Sequence, residues 1–368
     1  MNIRRLCLLL CSLGLVRLGA ASPPTATVAI LTNGEGAHVR LYLPAVAASP
    51  ETSVVVLADS SGQTFAAAHR LLGPKLVATY SSAAELYAHH RVDLTVVSLE
   101  PRLAGPAIAA ALAAGSHVLA EKPACLSAAD FDRLADEAEA KHLLLMLALA
   151  NRLNPDVVLA RRLIREGKLG RIYGVEAHLV ADQTRLTRPE YRLSWFAQKS
   201  RAGGGHLIWL GIHWLDLATY LTDARVTEVA GFTANVGGQP IDVEDSAALS
   251  LKFDRGFLGT FTSGYYVDQG YDSHLKIWGE KGWIELNPYG GGPPFRYYTT
   301  TDAHPQIKSL PAFSGPAGYG PFVAACVRAA LGLEAPPLTT EDSRRVIATV
   351  FAAYRAAAIG QTQRVTHP

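Results

Sequence analysis

Residues Thr27–His38 read TVAILTNGEGAH, six apolar or β-branched residues followed at once by a loop with two glycines. A strand that runs into such a loop ahead of a helix-like segment is typical of the first unit of a dinucleotide-binding domain. The full pattern would place glycines at 32, 34 and 37, whereas this chain has Thr32, Gly34 and Ala37. Gly34, which lets the backbone approach a pyrophosphate, is kept; an ordinary tight turn is the alternative interpretation.

Further apolar runs follow, separated by Ala-rich and Leu-rich stretches of helical length. Continuous apolar runs are typical of parallel strands that are buried on both faces. We therefore predict an α/β fold in which residues 25–150 form a Rossmann domain with a doubly wound parallel sheet. The predicted strands are Thr27–Thr32, Ser53–Ala58, Asp93–Ser98, His117–Ala120 and Leu143–Leu149.

From residue 151 to 368 the pattern changes. A helix over Pro155–Glu166 precedes a strand-like run, Ile172–Val180, and alternating runs lie between Arg225 and Leu286. Tight turns join these runs, so we predict a second α/β domain with an open, mostly antiparallel sheet. Residues 288–320 are predicted to be irregular. Two Ala-rich helices, near Pro321–Leu331 and Thr340–Ala358, follow and are able to pack back on the Rossmann domain.

Composition limits the class of protein. The chain has 368 residues, 49% of them hydrophobic and 18% charged, which suits two globular domains. Its formal charge is +2 and no basic run is long enough for a nucleic-acid surface, so no nucleic-acid partner is expected. Beyond the N-terminal segment only Cys125 and Cys326 remain, and we predict neither a disulfide framework nor a metal site.

The N-terminal segment has the pattern of a signal peptide over residues 1–22. Arg4 and Arg5 precede the apolar run Leu6–Ala20, and small residues up to Ala21 provide a cleavage site. An uncleaved membrane anchor is the alternative, although Arg17 interrupts the apolar run. The sequence therefore predicts an exported protein, periplasmic or extracellular, with no membrane span in the mature chain.

Two further stretches carry ligand-binding chemistry. Asp59 ends the second predicted strand and Ser60 follows; an acid there accepts hydrogen bonds from ribose hydroxyls and repels a 2′-phosphate, which favours NAD over NADP. Glu121-Lys122-Pro123 follows another strand, at the sheet edge where ligands bind. Lys122 can reach a substrate hydroxyl there. A solvated aspartate and a surface lysine are the alternatives.

Residues 203–216, GGGHLIWLGIHWLD, predict a helix with a polar stripe. At 100° per residue His206, Trp209, His213 and Asp216 fall within about 80° of one another. Histidine suits a catalytic base because its pKa lies near working pH, and an indole can stack on a sugar ring. We predict that the stripe faces a ligand cleft; a buried histidine and a tryptophan packed in the core are the alternatives.

Taken together, these motifs resemble the glucose–fructose oxidoreductase, inositol dehydrogenase and MocA family (Gfo/Idh/MocA) from about Thr27 to the end of the chain. The resemblance implies enzymes that oxidise or reduce a sugar or cyclitol carbinol with a nicotinamide cofactor, often tightly held, and that often form homo-oligomers. It assigns catalytic roles to Lys122 and His213, while Trp209 stands where the family usually has an aspartate. The resemblance rests on Glu121-Lys122-Pro123, on NRLNP at 151–155, on GKLGRI at 167–172, on residues 203–216, on Val243-Glu244-Asp245 and on IWGEKG at 277–282.

The leading expectation is an NAD-dependent oxidoreductase that acts on a carbinol of a sugar, cyclitol or glycoside. One alternative cleaves glycosides by transient oxidation and elimination, and another is a non-catalytic descendant that binds a nucleotide or sugar. The catalytic residues expected are Lys122 and His213. The residues expected to bind substrate are Trp209, His206, Asp216, Arg152 and Tyr266, and those expected to bind cofactor are Gly34, Glu35, Gly36, Asp59, Ser60, Pro101, Glu121 and Lys122.

Overall fold

The computed structural model describes residues 24–366, so the predicted signal peptide lies outside the described residues. This part of the chain folds into two sheets, each covered by helices. Within it, no helix combines the length and the apolar character needed to cross a bilayer.

The first sheet is the predicted doubly wound parallel sheet, with strand order β3-β2-β1-β4-β5-β6. Sequence analysis missed β3, an edge strand whose Val77 is 55% exposed and whose pattern is therefore not continuously apolar. Thr32, at the end of β1, is paired with Asp59 on one side and Ser98 on the other. The glycine loop, residues 33–38, thus leaves the sheet at its topological switch point, where such folds bind ligands. The strands are β1 Ala26–Thr32, β2 Thr52–Asp59, β3 Leu76–Tyr80, β4 Leu94–Ser98, β5 His117–Ala120 and β6 Leu145–Leu147.

Five helices connect these strands. Ser82 and Ser127 each cap a helix, because their hydroxyl oxygens accept the backbone N–H of the residue three positions on. The helices are α1 Val39–Ala48, α2 Phe65–Leu72, α3 Ala83–His89, α4 Pro101–Ala113 and α5 Ala128–Ala140.

The second sheet has nine strands and is mostly antiparallel, as predicted. One pair, β7 with β10, is parallel. Strands β13 and β14 lie in the region predicted to be irregular; both are short and follow the Gly/Pro-rich stretch 288–294, which hid their pattern. The strands are β7 Ile172–Asp182, β8 Val226–Ala234, β9 Ser246–Phe253, β10 Leu258–Val267, β11 Tyr271–Gly279, β12 Gly282–Leu286, β13 Phe295–Thr299, β14 Lys308–Leu310 and β15 Gln363–Arg364.

The C-terminal helices pack back on the first domain. Helix α11 lies against α1, and α12 lies against α5 and β6. The backbone N–H of Leu145 donates to Thr340 Oγ1 at 3.0 Å, and that of Leu147 donates to Ser343 Oγ at 3.2 Å. The second-domain helices are α6 Pro155–Arg165, α7 Thr184–Thr187, α8 Pro189–Leu193, α9 Lys199–Ala202, α10 Ile212–Thr222, α11 Tyr319–Ala330 and α12 Thr340–Ile359.

Candidate active site

A cavity of about 290 Å³ lies between the two domains at the C-terminal edge of the parallel sheet. Lys122 and His213, the two predicted catalytic residues, both line it. Its walls are mainly aromatic, and none of the residues that line it carries a carboxylate. The other lining residues that matter below are His38, Asn151, Trp214, Tyr271, Tyr289 and Tyr319.

Lys122 follows β5, and its side chain is almost completely buried. Its Nζ lies 3.1 Å from the centre of the Trp209 ring and donates a hydrogen bond to the Trp209 carbonyl oxygen. Glu121 Oε1 is 3.9 Å away. Burial lowers the pKa of Lys122 to about 7, although the charge of Glu121 opposes this shift. The amine is therefore neutral in a large fraction of molecules near pH 7.

His213 lies on α10 and is half-buried. Burial lowers its pKa well below the ordinary value, and positive charge on Lys122 and His38 lowers it further. Its Nδ1 is buried and has no hydrogen-bond partner among residues 24–366, an unsatisfied polar group of a kind that is rare in folded proteins. The imidazole is neutral at physiological pH.

The predicted polar stripe is not continuous, because residues 207–211 form a π-helical turn instead of an α-helical one. The wider turn changes the angle between successive side chains, so the spacing of 100° per residue fails. Trp209 stays beside Lys122, with its ring stacked on His38 at 5.4 Å. His206 instead is fully buried, and its Nδ1 lies 2.5 Å from Ser263 Oγ. Burial lowers the pKa of His206 to about 3, and it is not among the residues that line the cavity.

Arg152 and Asp216, both predicted to bind substrate, bind each other instead. Arg152 Nη2 donates to Asp216 Oδ1 at 2.6 Å, and Nε donates to Oδ2 at 3.0 Å. Arg152 also donates to Asp342 at 3.0 Å, and thereby links the start of the second domain to α12. Two buried ions require such pairing, so neither side chain faces the cavity. Tyr266, 43% exposed on β10, also lies outside the cavity lining.

The glycine loop meets the steric requirement of a dinucleotide. A Cβ on Gly36 would lie 2.2 Å from Thr32 Oγ1 and 2.5 Å from the Ser98 carbonyl oxygen, so only glycine fits there. Gly34 is exposed, its backbone N–H donates to Ser61 Oγ at 3.0 Å, and the loop leads into α1. A phosphate binds well at such a helix N-terminus. Pro101, the first residue of α4, and the exposed Ser60 follow the neighbouring strands.

The carboxylate of Asp59, which sequence analysis predicts to bind a ribose, accepts hydrogen bonds within its own loop. Oδ1 accepts hydrogen bonds from the backbone and hydroxyl of Ser61, and Oδ2 accepts the equivalent two from Thr64, all between 2.7 and 2.8 Å. These four bonds use the acceptor sites of a carboxylate. They lower the pKa of Asp59 although burial opposes them. Asp59 therefore fixes the loop after β2.

A segment of the second domain crosses the glycine loop. Trp195 Nε1 donates to the Glu35 carbonyl oxygen at 3.1 Å. Arg201, in α9, donates to Glu35 Oε2 at 2.6 Å and also to Glu100, the residue before α4. We call residues 195–202 the strap. Sequence analysis missed Arg201, because no motif marks a contact between residues so distant in the chain.

Glu121 also forms its contacts within the protein. Its Oε2 accepts hydrogen bonds from Tyr42 at 2.7 Å and from Tyr319 at 3.1 Å, and it lies 3.1 Å from His38 Nδ1. Burial raises the pKa of Glu121, but the charge of His38 and these bonds leave it lowered overall. Sequence analysis did not identify His38, Tyr42 or Tyr319. The only signal in the sequence for these three residues was the position of His38 at the end of the glycine loop.

Comparisons with known proteins agree with this architecture. Residues 28–149 match the oxidoreductase family with an NAD-binding Rossmann fold, and residues 157–285 match the GFO/IDH/MocA C-terminal domain. The oxidoreductase subunit assigned to a UDP-kanosamine synthase of Amycolatopsis mediterranei is 31% identical over 274 residues, 70% of this chain and 74% of that one. A dTDP-3,4-didehydro-2,6-dideoxy-alpha-D-glucose 3-reductase of Streptomyces violaceoruber is 28% identical over 80% of this chain and 83% of its own.

Solved structures have the same fold. Levoglucosan dehydrogenase in complex with NADH superposes with a TM-score of 0.81 at 21% identity, over 93% of this chain and 100% of that one. The predicted NAD-binding domain is thus confirmed, and the relatives are sugar or cyclitol dehydrogenases and reductases. The chain belongs to the Gfo/Idh/MocA family of NAD(P)-dependent oxidoreductases.

Proposed function

We propose that this protein oxidises a carbinol of a sugar, cyclitol or glycoside with NAD, and that it keeps the cofactor bound between turnovers. The observation that carries this proposal is the placement of Lys122 and His213 in one cavity at the switch-point edge of an NAD-binding domain. Bound NAD supplies the hydride acceptor. The chain's own residues must orient the carbinol, exclude water and remove the hydroxyl proton.

Lys122 is the group that takes this proton. With a pKa of about 7 its amine is neutral often enough to accept a proton, and the resulting ammonium ion lies over the Trp209 ring. His213 is neutral and lines the same cavity, where its imidazole orients the hydroxyl by a hydrogen bond. Trp209 replaces the usual aspartate, and the cavity lining has no carboxylate. The proton acceptor is therefore the amine of Lys122.

The cavity walls suit a single sugar ring. Trp214, Tyr271 and Tyr289 offer aromatic faces for its C–H surface, and Asn151 offers an amide for its hydroxyls. Arg185 donates to the Tyr271 hydroxyl at 2.6 Å and fixes that ring. The volume of about 290 Å³ lies at the small end of the range for ligand pockets, which favours a monosaccharide or a terminal sugar residue.

Export supports the retained cofactor. The leader pattern indicates a periplasmic or extracellular protein, where free NAD is scarce, and the strap contacts the glycine loop through Trp195 and Arg201. Self-association through the open sheet is part of the proposal. A cavity of about 510 Å³ on this sheet is lined by Tyr173 and Leu258, which are 52% and 64% exposed.

In the decisive experiment, nucleotide is released from the purified full chain and identified. The purified protein is then incubated with a panel of sugars, cyclitols and aryl glycosides. We expect NAD or NADH in the released fraction and reduction of the bound cofactor by one class of carbinol. Release of sugar from an aryl glycoside without net reduction would replace dehydrogenation with oxidation and elimination. A preparation that neither retains nor binds NAD would overturn the proposal.

A further inference from the structure

A second cavity, of about 490 Å³, lies behind the active site and has a different chemical character. It is formed by the ends of α6 and α10, the loop before α12, and α12 itself. Two aspartates line it, Asp223 and Asp342. Five arginines line it, namely Arg152, Arg161, Arg165, Arg225 and Arg345.

The carboxylates near this cavity pair fully with some of these arginines and only partly with others. Arg152 is fully paired with Asp216 and Asp342, and Arg345 pairs with Glu341 at 2.6 Å. In contrast Arg161 and Arg165 share the single carboxylate of Asp223, at 2.7 and 3.4 Å. The cavity therefore keeps cationic groups that lack a full partner.

Two of these groups have hydrogen-bonding or charge-pairing capacity that the described protein does not satisfy. Arg161 Nη1 is buried and has no hydrogen-bond partner within residues 24–366. Its guanidinium carbon lies 3.8 Å from the centre of the Tyr220 ring, which fixes the group in place. Arg225 is exposed and forms no ion pair with the rest of the described chain; the nearest acid, Asp254, accepts its backbone N–H at 3.0 Å.

An adjoining cavity of about 380 Å³ extends the positive surface. It shares Arg165 and Asp223 with the first cavity and adds Arg171 and Arg255, both exposed. Guanidinium groups that approach from several elements match an anion whose oxygens point in several directions, as in a tetrahedral oxyanion.

We propose that this arginine pocket, defined by Arg161, Arg165 and Arg225, binds a small molecule with a phosphate or sulfate group. The oxyanion takes the free Arg161 Nη1 and the unpaired Arg225, and the remaining volume accommodates the organic part of the ligand. The pocket is separate from the catalytic cavity but shares two elements with it. Asn151 lines one and Arg152 the other, and α10 carries both His213 and Tyr220.

The test is calorimetric titration of the purified full chain with sodium phosphate and, separately, with sodium sulfate, against chloride at equal ionic strength. We expect saturable binding of one equivalent with a Kd of about 1 mM or tighter. Arg161→Gln and Arg225→Gln each weaken it by about tenfold, the loss of about 1.4 kcal/mol. Arg70→Gln, an exposed arginine on α2 of the Rossmann domain, is the matched control and leaves binding unchanged.

Each remaining outcome is informative. Tighter binding of phosphate assigns a phosphate ester to the pocket, and tighter binding of sulfate assigns a sulfate ester. No saturable heat with either anion overturns the proposal. Phosphate binding that survives in both Arg161→Gln and Arg225→Gln also overturns it, because the anion then lies in the glycine loop. Because the side chain of Arg225 forms no ion pair within residues 24–366, we expect the Arg225→Gln variant to fold normally.

Discussion

At the scale of single residues, proton transfer in the cavity depends on which neighbouring base titrates near neutral pH. His213 stays neutral because its pKa lies well below the ordinary value, whereas that of Lys122 is about 7. Below pH 7 the amine is charged and cannot accept a proton. We therefore expect kcat for carbinol oxidation to rise with pH and level off above about 7, as measured with a single sugar substrate.

Two substitutions test the assignment of Lys122 as the proton acceptor. Lys122→Met removes the acceptor and should lower kcat by about 10² or more and abolish the inflection near pH 7. His213→Gln should lower kcat but keep the inflection, since the histidine does not titrate there. An inflection that disappears with His213→Gln and persists with Lys122→Met would reverse the two roles. Bound NAD, quantified by its absorbance, is the control in both variants.

Trp209 determines the environment of that amine. Trp209→Asp should raise the pKa of Lys122, because a carboxylate stabilises the charged amine, and should move the inflection to higher pH. Trp209→Asn removes the same indole and admits the same water but carries no charge, so the difference between the two profiles reports the charge alone. Identical profiles for the two variants would show that Trp209 acts by excluding water only.

The structure brings Lys122 and His213 to one cavity, whereas Asp59, Arg152, Asp216 and Glu121 bond within the protein. Their types suited ligand binding, yet each finds a partner inside the protein. The partners of Asp59 lie within five residues of it, so the sequence was sufficient to predict an Asx-type loop at this position. The contact of Arg152 with Asp342 joins positions 190 residues apart, and no spacing rule predicts it.

At the scale of elements, the helix that carries Trp209 and His213 is held at its start by Glu244. Its Oε2 accepts the Gly205 N–H at 2.7 Å, and its Oε1 accepts the Leu207 N–H at 3.0 Å. The Tyr354 hydroxyl also donates to Oε1, at 2.8 Å. This capping explains the motif at 243–245, which sequence analysis used only as a family signature.

We predict that Glu244→Gln lowers the free energy of unfolding by about 1–3 kcal/mol, because the amide NH2 replaces one of the two oxygens and leaves one backbone N–H facing a donor. Tyr354→Phe removes the hydrogen bond to the Glu244 carboxylate and the one that the hydroxyl accepts from the Ile208 N–H, and should cost about 1.5–3 kcal/mol. Urea unfolding monitored by circular dichroism measures both. Equal stability of Glu244→Gln and the wild type would mean that the helix start is held by packing and not by this carboxylate.

Sequence periodicity predicted the buried elements well and the half-exposed ones poorly. His117–Ala120 is reproduced residue for residue, and the predicted start of α12 at Thr340 is reproduced as well. Both elements are buried on well-defined faces, so their patterns are strong. β3 and β13 lie at or near sheet edges, where polar residues interrupt the alternation. The π-helical turn left no signal, since its residues are as apolar as those of an α-helix.

At the scale of the whole molecule, the strap joins the two domains over the glycine loop. Arg201 connects Glu35 with Glu100, and Trp195 packs with Ala37 and Ala202 in a small apolar cluster. We expect a nucleotide held by the glycine loop to leave only after these contacts open. On the proposed function, cofactor retention then depends on the domain arrangement and not on the Rossmann domain alone.

Arg201→Ala should accordingly speed dissociation of NADH by about tenfold, since the loss of the two ion pairs removes about 1.4 kcal/mol from the closed strap. Glu100 keeps its contact with Arg102 at 3.0 Å, so its buried carboxylate is not left without a partner. Arg192→Ala is the control, because Arg192 binds Leu186 and Gln239 and does not touch the glycine loop. Displacement of bound NADH by excess NAD, followed by fluorescence, gives the rates. If NADH dissociates equally fast from both variants, general loosening of the strap and the helix before it controls NADH release. The ion pairs of Arg201 with Glu35 and Glu100 would then not control it.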